Sequence, residues 1–111
     1  MRRQNHLGQF EFMALVAMLR LGDDAYGVAI AEEIERASSR HVALASLYLT
    51  LGRLEANGLV ESQLGEPTPE RGGRAKTYFK LTAKGIREVR DARRTLMKLW
   101  DGVPALAGET R

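Results

Sequence analysis

The stretch from Leu44 to Leu81 reads LASLYLTLGRLEANGLVESQLGEPTPERGGRAKTYFKL, and the succession of patterns inside it decides the fold. Leu44, Leu47, Tyr48, Leu51 and Leu54 recur at spacings of three and four, the signature of one apolar helix face. Gly58 follows directly, where a helix that needs a left-handed stop would end. Val60, Ser62 and Leu64 then alternate, as do Thr77, Phe79 and Leu81, so two short strands are predicted over 60–64 and 77–81. A polar loop carrying Pro67, Pro69 and Gly72-Gly73 joins them. The stretch is therefore a helix feeding a long-looped hairpin.

Working outward, two helices precede it. The first, about Leu7 to Leu21, is apolar nearly all round (Phe10, Phe12, Met13, Leu15, Val16, Met18, Leu19) and must be covered on several sides. Gly22 stops it, and Asp23-Asp24 lead into a second helix over about Ala25 to Ala37 with Tyr26, Ile30, Ile34 and Ala37 on one face. Ser38-Ser39-Arg40-His41 form the turn before the third helix. After the hairpin, Thr82 caps a last helix running to about Asp101, and residues 102–111, with Gly102, Pro104 and Gly108, are expected to fray. Two short helices joined by a tight turn and followed by a hairpin define a winged helix-turn-helix. The fold class is mostly α with a small β-hairpin: a DNA-binding unit over 1–81, its wing over 60–81, and a dimerisation helix over 82–101.

The third helix presents an unusual outer surface. Wound at about 100° per residue, it turns Ala45, Ser46, Leu49, Thr50, Arg53, Ala56 and Asn57 away from the apolar stripe. An ordinary solvated face carries Glu and Lys, as the second helix does with Glu32, Glu33 and Glu35. A small, hydroxyl-bearing face fits a major groove, where Leu49 can meet a thymine methyl. Gly52 costs about 1 kcal/mol relative to Ala within a helix, a cost that close backbone approach would justify. Ten residues of the wing, Arg71 to Lys80, hold Arg71, Arg74, Lys76 and Lys80 without an acid. With Gly72 and Gly73 at the tip, they suit phosphate contact or minor-groove insertion.

The last helix opposes six bases (Lys84, Arg87, Arg90, Arg93, Arg94, Lys98) to three acids (Glu88, Asp91, Asp101). Its apolar stripe, Ile86, Val89, Ala92, Leu96, Leu99, Trp100 and Val103, lies close to a 3.5-residue repeat that fits a helix–helix seam. The seam is assigned to a homodimer, closed against Phe10 and Met13 of the first helix, because the rest of the chain covers only part of that helix. Trp100 anchors this seam, and could also stack on a planar or hydrophobic effector between two chains.

Composition sets the outer bounds. The chain has 111 residues, no cysteine, 44% hydrophobic and 28% charged residues, and a net charge of +3. Disulfide scaffolds, thiolate metal sites and cysteine nucleophiles are excluded. The apolar run Phe12 to Leu19 is too short to span a bilayer and lacks a following cleavage site, so a cytoplasmic protein without a membrane partner is expected. His6 and His41 stand alone, no Gly-x-Ser-x-Gly or His-x-x-x-His occurs, and Gly22 to Gly27 lacks the Lys-Ser/Thr of a phosphate loop. Neither a cofactor nor an enzymatic activity is expected.

On specific stretches the chain resembles the PadR-like transcriptional regulators. These are Ala25-Tyr26-Gly27, Ser46-Leu47-Tyr48, Arg53-Leu54-Glu55 through Gly58-Leu59-Val60, and above all Gly65 to Arg74 (GEPTPERGGR) followed by Tyr78 and Leu81-Thr82-Ala83-Lys84-Gly85. The resemblance implies a bacterial or archaeal winged-helix repressor that dimerises through its last and first helices. It further implies DNA contacts from Ser46, Tyr48 and Arg53 on the third helix and from Arg71 and Arg74 on the wing. Ala43, Leu49 and Gly52 depart from residues common in the family, which bears on the operator rather than the fold.

Overall fold

A computed structural model describes residues 7–66 and 75–108. Helix α1 spans Gln9–Leu21, α2 Gly27–Ser38, α3 Leu44–Ala56 and α4 Ala83–Trp100; strands β1, Val60–Leu64, and β2, Thr77–Leu81, lie between α3 and α4. The order is that of a winged helix-turn-helix followed by one further helix. Single 3-10 turns occupy Gly22–Asp24 and Pro104–Leu106. The latter lies in the tail expected to fray, of which residues 109–111 lie outside the described residues.

Each helix boundary has a local cause. At the start of α1 the Glu11 carboxylate accepts the Gly8 N–H at 2.9 Å, half of a capping box. Gly22, at φ 61°, ends the helix in a conformation that costs glycine little. Helix α2 closes on Ser39, whose left-handed φ of 59° is the one such value at a non-glycine among the described residues. Helix α3 ends in a Schellman motif: Gly58, at φ 79°, donates to the Glu55 carbonyl and Leu59 to the Leu54 carbonyl. Buried Leu59 and Leu54 supply the apolar contact that accompanies this motif.

The hairpin pairs antiparallel from Val60↔Leu81 to Leu64↔Thr77. One face of it reaches the core only at its base, where Val60, Phe79 and Leu81 are buried; Leu64, further out, is 68% exposed. A contact without sequence periodicity extends this sheet on its other side. Tyr26 forms an isolated antiparallel bridge with Tyr78, and Phe79 N–H donates to the Ala25 carbonyl at 2.8 Å. The residues before α2 thus act as a minimal third strand, which holds Tyr26 extended and sets where α2 begins.

The core joins Ala14, Leu15 and Met18 of α1, Ile30 and Ile34 of α2, and Leu47, Leu51 and Leu54 of α3 to the base of the hairpin. Leu15, Ile30, Leu47, Leu51 and Leu54 are fully enclosed, each contributing roughly 1.5–3 kcal/mol through apolar burial. Helix α4 is anchored to the same core at its first turns. The Thr82 hydroxyl accepts the Gly85 N–H at 3.1 Å and donates to the Gly58 carbonyl at 2.6 Å, while Lys84 Nζ donates to the Asn57 carbonyl. Gly85 packs so close to the Leu59 carbonyl that a Cβ there would overlap it.

Beyond Ala92 the helix leaves the core, and every residue from Arg93 to Trp100 is exposed. The radius of gyration, 16.0 Å, exceeds the roughly 13 Å of a compact chain of this length, as a projecting helix requires.

Candidate nucleic-acid interface

Helix α3 faces outward along a line rotated from the expected one. Its buried side is Leu47, Thr50, Leu51 and Leu54, whereas Leu44 is 42% and Tyr48 46% exposed. At about 100° per residue the centre of the outer face is therefore Ala45, Leu49, Gly52 and Ala56, flanked by Ser46 and Arg53 on one edge and Tyr48 on the other. Leu49 projects most, at 68% exposure. Thr50 is a correction: at 3% exposure it belongs to the core side, where its hydroxyl accepts from Arg53 at 3.2 Å. Leu44 lies at the edge of the apolar stripe, and the compact Thr50 takes the buried place instead.

Gly52 has nothing within 4 Å of the position its Cβ would take. No packing among the described residues calls for glycine there, and its absent side chain opens the middle of the outer face.

The flanking residues are held by neighbours. Arg53 Nε lies 3.6 Å from a Glu11 carboxylate oxygen on α1, an ion pair with the arginine side chain 59% exposed. The Tyr48 ring crosses the helix pair and lays its hydroxyl on Gly27, the first residue of α2, where a Cβ would overlap it. Tyr48, expected from the resemblance to contact DNA, thus has a packing role between α2 and α3. The α2–α3 turn is fixed by Glu35, whose carboxylate accepts the Val42 N–H at 2.7 Å and lies 3.1 Å from His41 Nδ1.

On the wing, Arg71, Gly72, Gly73 and Arg74 lie outside the described residues. Of the remaining bases, Lys76 places its ammonium 3.8 Å from the centre of the Tyr26 ring, and Lys80 sits across the hairpin from Glu61. These two bases are therefore less unopposed than the linear sequence indicates. The Tyr26 ring also meets Tyr78 edge-on at 5.7 Å, so cation and aromatic pair brace the base of the wing against α2.

The residues assigned to the dimer seam divide. Val89, 9% exposed, and half-buried Ile86 pack on the chain's own core. Val89, assigned to the seam, is thus largely taken up by the chain's own core, because the first turns of α4 are clamped to the end of α3. Leu96 at 47%, Leu99 at 70% and Trp100 at 36% remain exposed, joined by Met97 at 40%. Phe10 and Met13 are half-buried on α1. Beside them runs an apolar groove of about 520 Å³ between α1 and α2, floored by Phe12, Met13, Val16 and Ile34. Its rim carries Arg20 and Arg36, each 2.7 Å from the Glu33 carboxylate. Hydrogen bonding from Arg36 and then Arg20 holds the Glu33 carboxyl below its usual range. Around Trp100 the exposed groups are Arg90, Arg93, Arg94, Met97, Lys98 and Asp101.

No described helix is long and apolar enough to cross a membrane, and no cluster of metal-ligating residues occurs among the described residues.

With this geometry in place, comparison with known proteins is specific. The model of the PadR-like family of transcriptional regulators matches residues 15–91. Among solved structures, a PadR-like transcription factor from Bacteroides fragilis is 28% identical, with a TM-score of 0.71 over 90% of this chain and 91% of that one. A transcriptional regulator from Clostridium thermocellum is 25% identical, with a TM-score of 0.66 over 80% and 81%. A PadR family regulator from Eggerthella lenta is 25% identical, with a TM-score of 0.62 over 89% and 87%. No curated protein matches the chain.

Proposed function

The chain belongs to the PadR-like family of transcriptional regulators, and from that premise we propose that it is a cytoplasmic, homodimeric repressor that reads double-stranded DNA without a cofactor or enzymatic activity. The observation that carries this reading is the outer face of α3. It is small, nearly uncharged and bears a projecting Leu49, a surface suited to a major groove and poorly suited to water. Ser46 and Arg53 edge this face, Tyr48 flanks it, and Arg71, Arg74 and Lys76 of the wing extend the contact to flanking backbone or the minor groove.

The second half of α4 supplies the dimer in this proposal. Leu96, Leu99 and Trp100 would close on the α1–α2 groove of a second copy, covering two apolar surfaces at once. Two-fold pairing then sets two α3 helices on one face of the duplex, about 34 Å apart. A planar or hydrophobic effector stacking on Trp100 would act at that seam and so alter the spacing.

The test is anisotropy binding to the duplex upstream of the protein's own gene and to a shuffled duplex, at several salt concentrations. Tighter binding to the native duplex with a steep salt dependence is expected, because phosphate contacts release counterions. Failure to bind either duplex at low salt would replace the DNA reading with a winged-helix module for protein partners.

A further inference from the structure

Arg53 leaves the DNA-facing helix but does not swing free. Its Nε lies 3.6 Å from Glu11 Oε2, and one terminal nitrogen donates to Thr50 Oγ1 at 3.2 Å. Both anchors are themselves fixed. Glu11 Oε1 is engaged by the Gly8 N–H at 2.9 Å, and Thr50 is 3% exposed. A guanidinium carries five N–H donors in one rigid plane. Here Nε and one terminal nitrogen are turned to the protein, and the other terminal nitrogen has no hydrogen-bond partner among the described residues. The side chain remains 59% exposed at the edge of the outer face.

We infer that Glu11, from the first turn of α1, is a positioning residue for Arg53, holding its guanidinium so that the outer nitrogens meet an acceptor in the major groove. The inference rests on the DNA-reading role proposed above and names a residue outside α3 that serves it. An arginine held in its working geometry loses less rotamer freedom on binding than a free one. An acid beside a DNA-facing arginine can instead compete with DNA for it. The geometry argues for positioning: at 3.6 Å the pair is an ion contact longer than a hydrogen bond, and the other carboxylate oxygen is committed to Gly8. Glu11 therefore steers the guanidinium without using up its donors.

The experiment is a double-mutant cycle in the full chain, read by anisotropy on the upstream duplex and by thermal unfolding. Glutamine keeps the acceptor for Gly8 and removes the charge, so Glu11→Gln should unfold at nearly the wild-type temperature. It should weaken binding to the native duplex roughly three- to tenfold, and Arg53→Ala should weaken it by at least as much. In the Arg53→Ala background, Glu11→Gln should cost nothing further. Additive losses, an unchanged affinity, or tighter binding by Glu11→Gln would each overturn the positioning role, the last by showing that Glu11 competes with DNA. Wild-type protein that binds no duplex would sink the DNA reading together with this inference. Wild-type binding with uncoupled variants would sink this inference alone.

Discussion

The Tyr48 hydroxyl rests on Gly27, so the first residue of α2 and the exposed flank of α3 share one contact that only a residue without a Cβ permits. The helix-turn-helix angle is thereby fixed on the outside by an aromatic ring and on the inside by Leu47, Leu51 and Ile30. Gly27→Ala should force the ring aside and destabilise the fold by about 1–3 kcal/mol, the usual cost of overpacking. Chemical denaturation measures it. In the Tyr48→Ala background the same change should cost much less, and equal costs in both backgrounds would place the strain elsewhere.

Ser39 closes α2 at φ 59° and ψ 29°, a left-handed conformation that side chains resist. Ser39→Gly should raise stability by about 0.5–1 kcal/mol, since glycine adopts this conformation without the Cβ penalty. A lower denaturation midpoint would mean that the hydroxyl at this position matters more than the backbone.

Glu33 lies between Arg20 and Arg36, and its folded-state carboxyl is held below the usual range. A depressed carboxyl stabilises the fold above its unfolded value, and that contribution is lost as pH falls through the folded value. Thermal midpoints measured from about pH 6 down to about pH 3 should therefore fall less steeply in Glu33→Gln than in wild type. Parallel curves would show that water screens the cluster completely.

Leu96 is 47% exposed on a half-helix that packs on no other element among the described residues. Leu96→Glu should yield monomers in light scattering, with the far-ultraviolet circular dichroism of the core helices retained. A variant that remained dimeric would move the interface away from α4.

The wing gives a prediction of different form. Arg74→Ala should weaken all duplexes to a similar extent and lower the salt slope by about one. A loss confined to one sequence would instead make Arg74 a reader of bases.

How far the sequence could be read depends on the range of each interaction. Helices and strands follow from local period and punctuation, and the strand limits Val60–Leu64 and Thr77–Leu81 coincide with those expected. The face of α3 was legible only to within about one residue of rotation. Leu44 and Tyr48 continue the apolar spacing at the edge of the stripe, whereas buried Thr50 is polar, so hydropathy alone turns the helix too far. Two relationships leave almost no local trace: the Tyr26–Tyr78 bridge is a single pair, and Glu11 meets Arg53 only after α1 and α3 pack. Glu11 does announce its capping role, three residues after Gly8, but a cap signal does not say what else the carboxylate touches.

The close approach of Gly85 to the Leu59 carbonyl makes α4 a lever with almost no play at its fulcrum. From Gly85 to Trp100 the helix runs roughly 22 Å at 1.5 Å per residue, so a tilt of ten degrees at the base would carry Trp100 about 4 Å sideways. A side chain at position 85 would therefore act as a shim, re-aiming the far half of α4 while leaving the outer face of α3 unchanged.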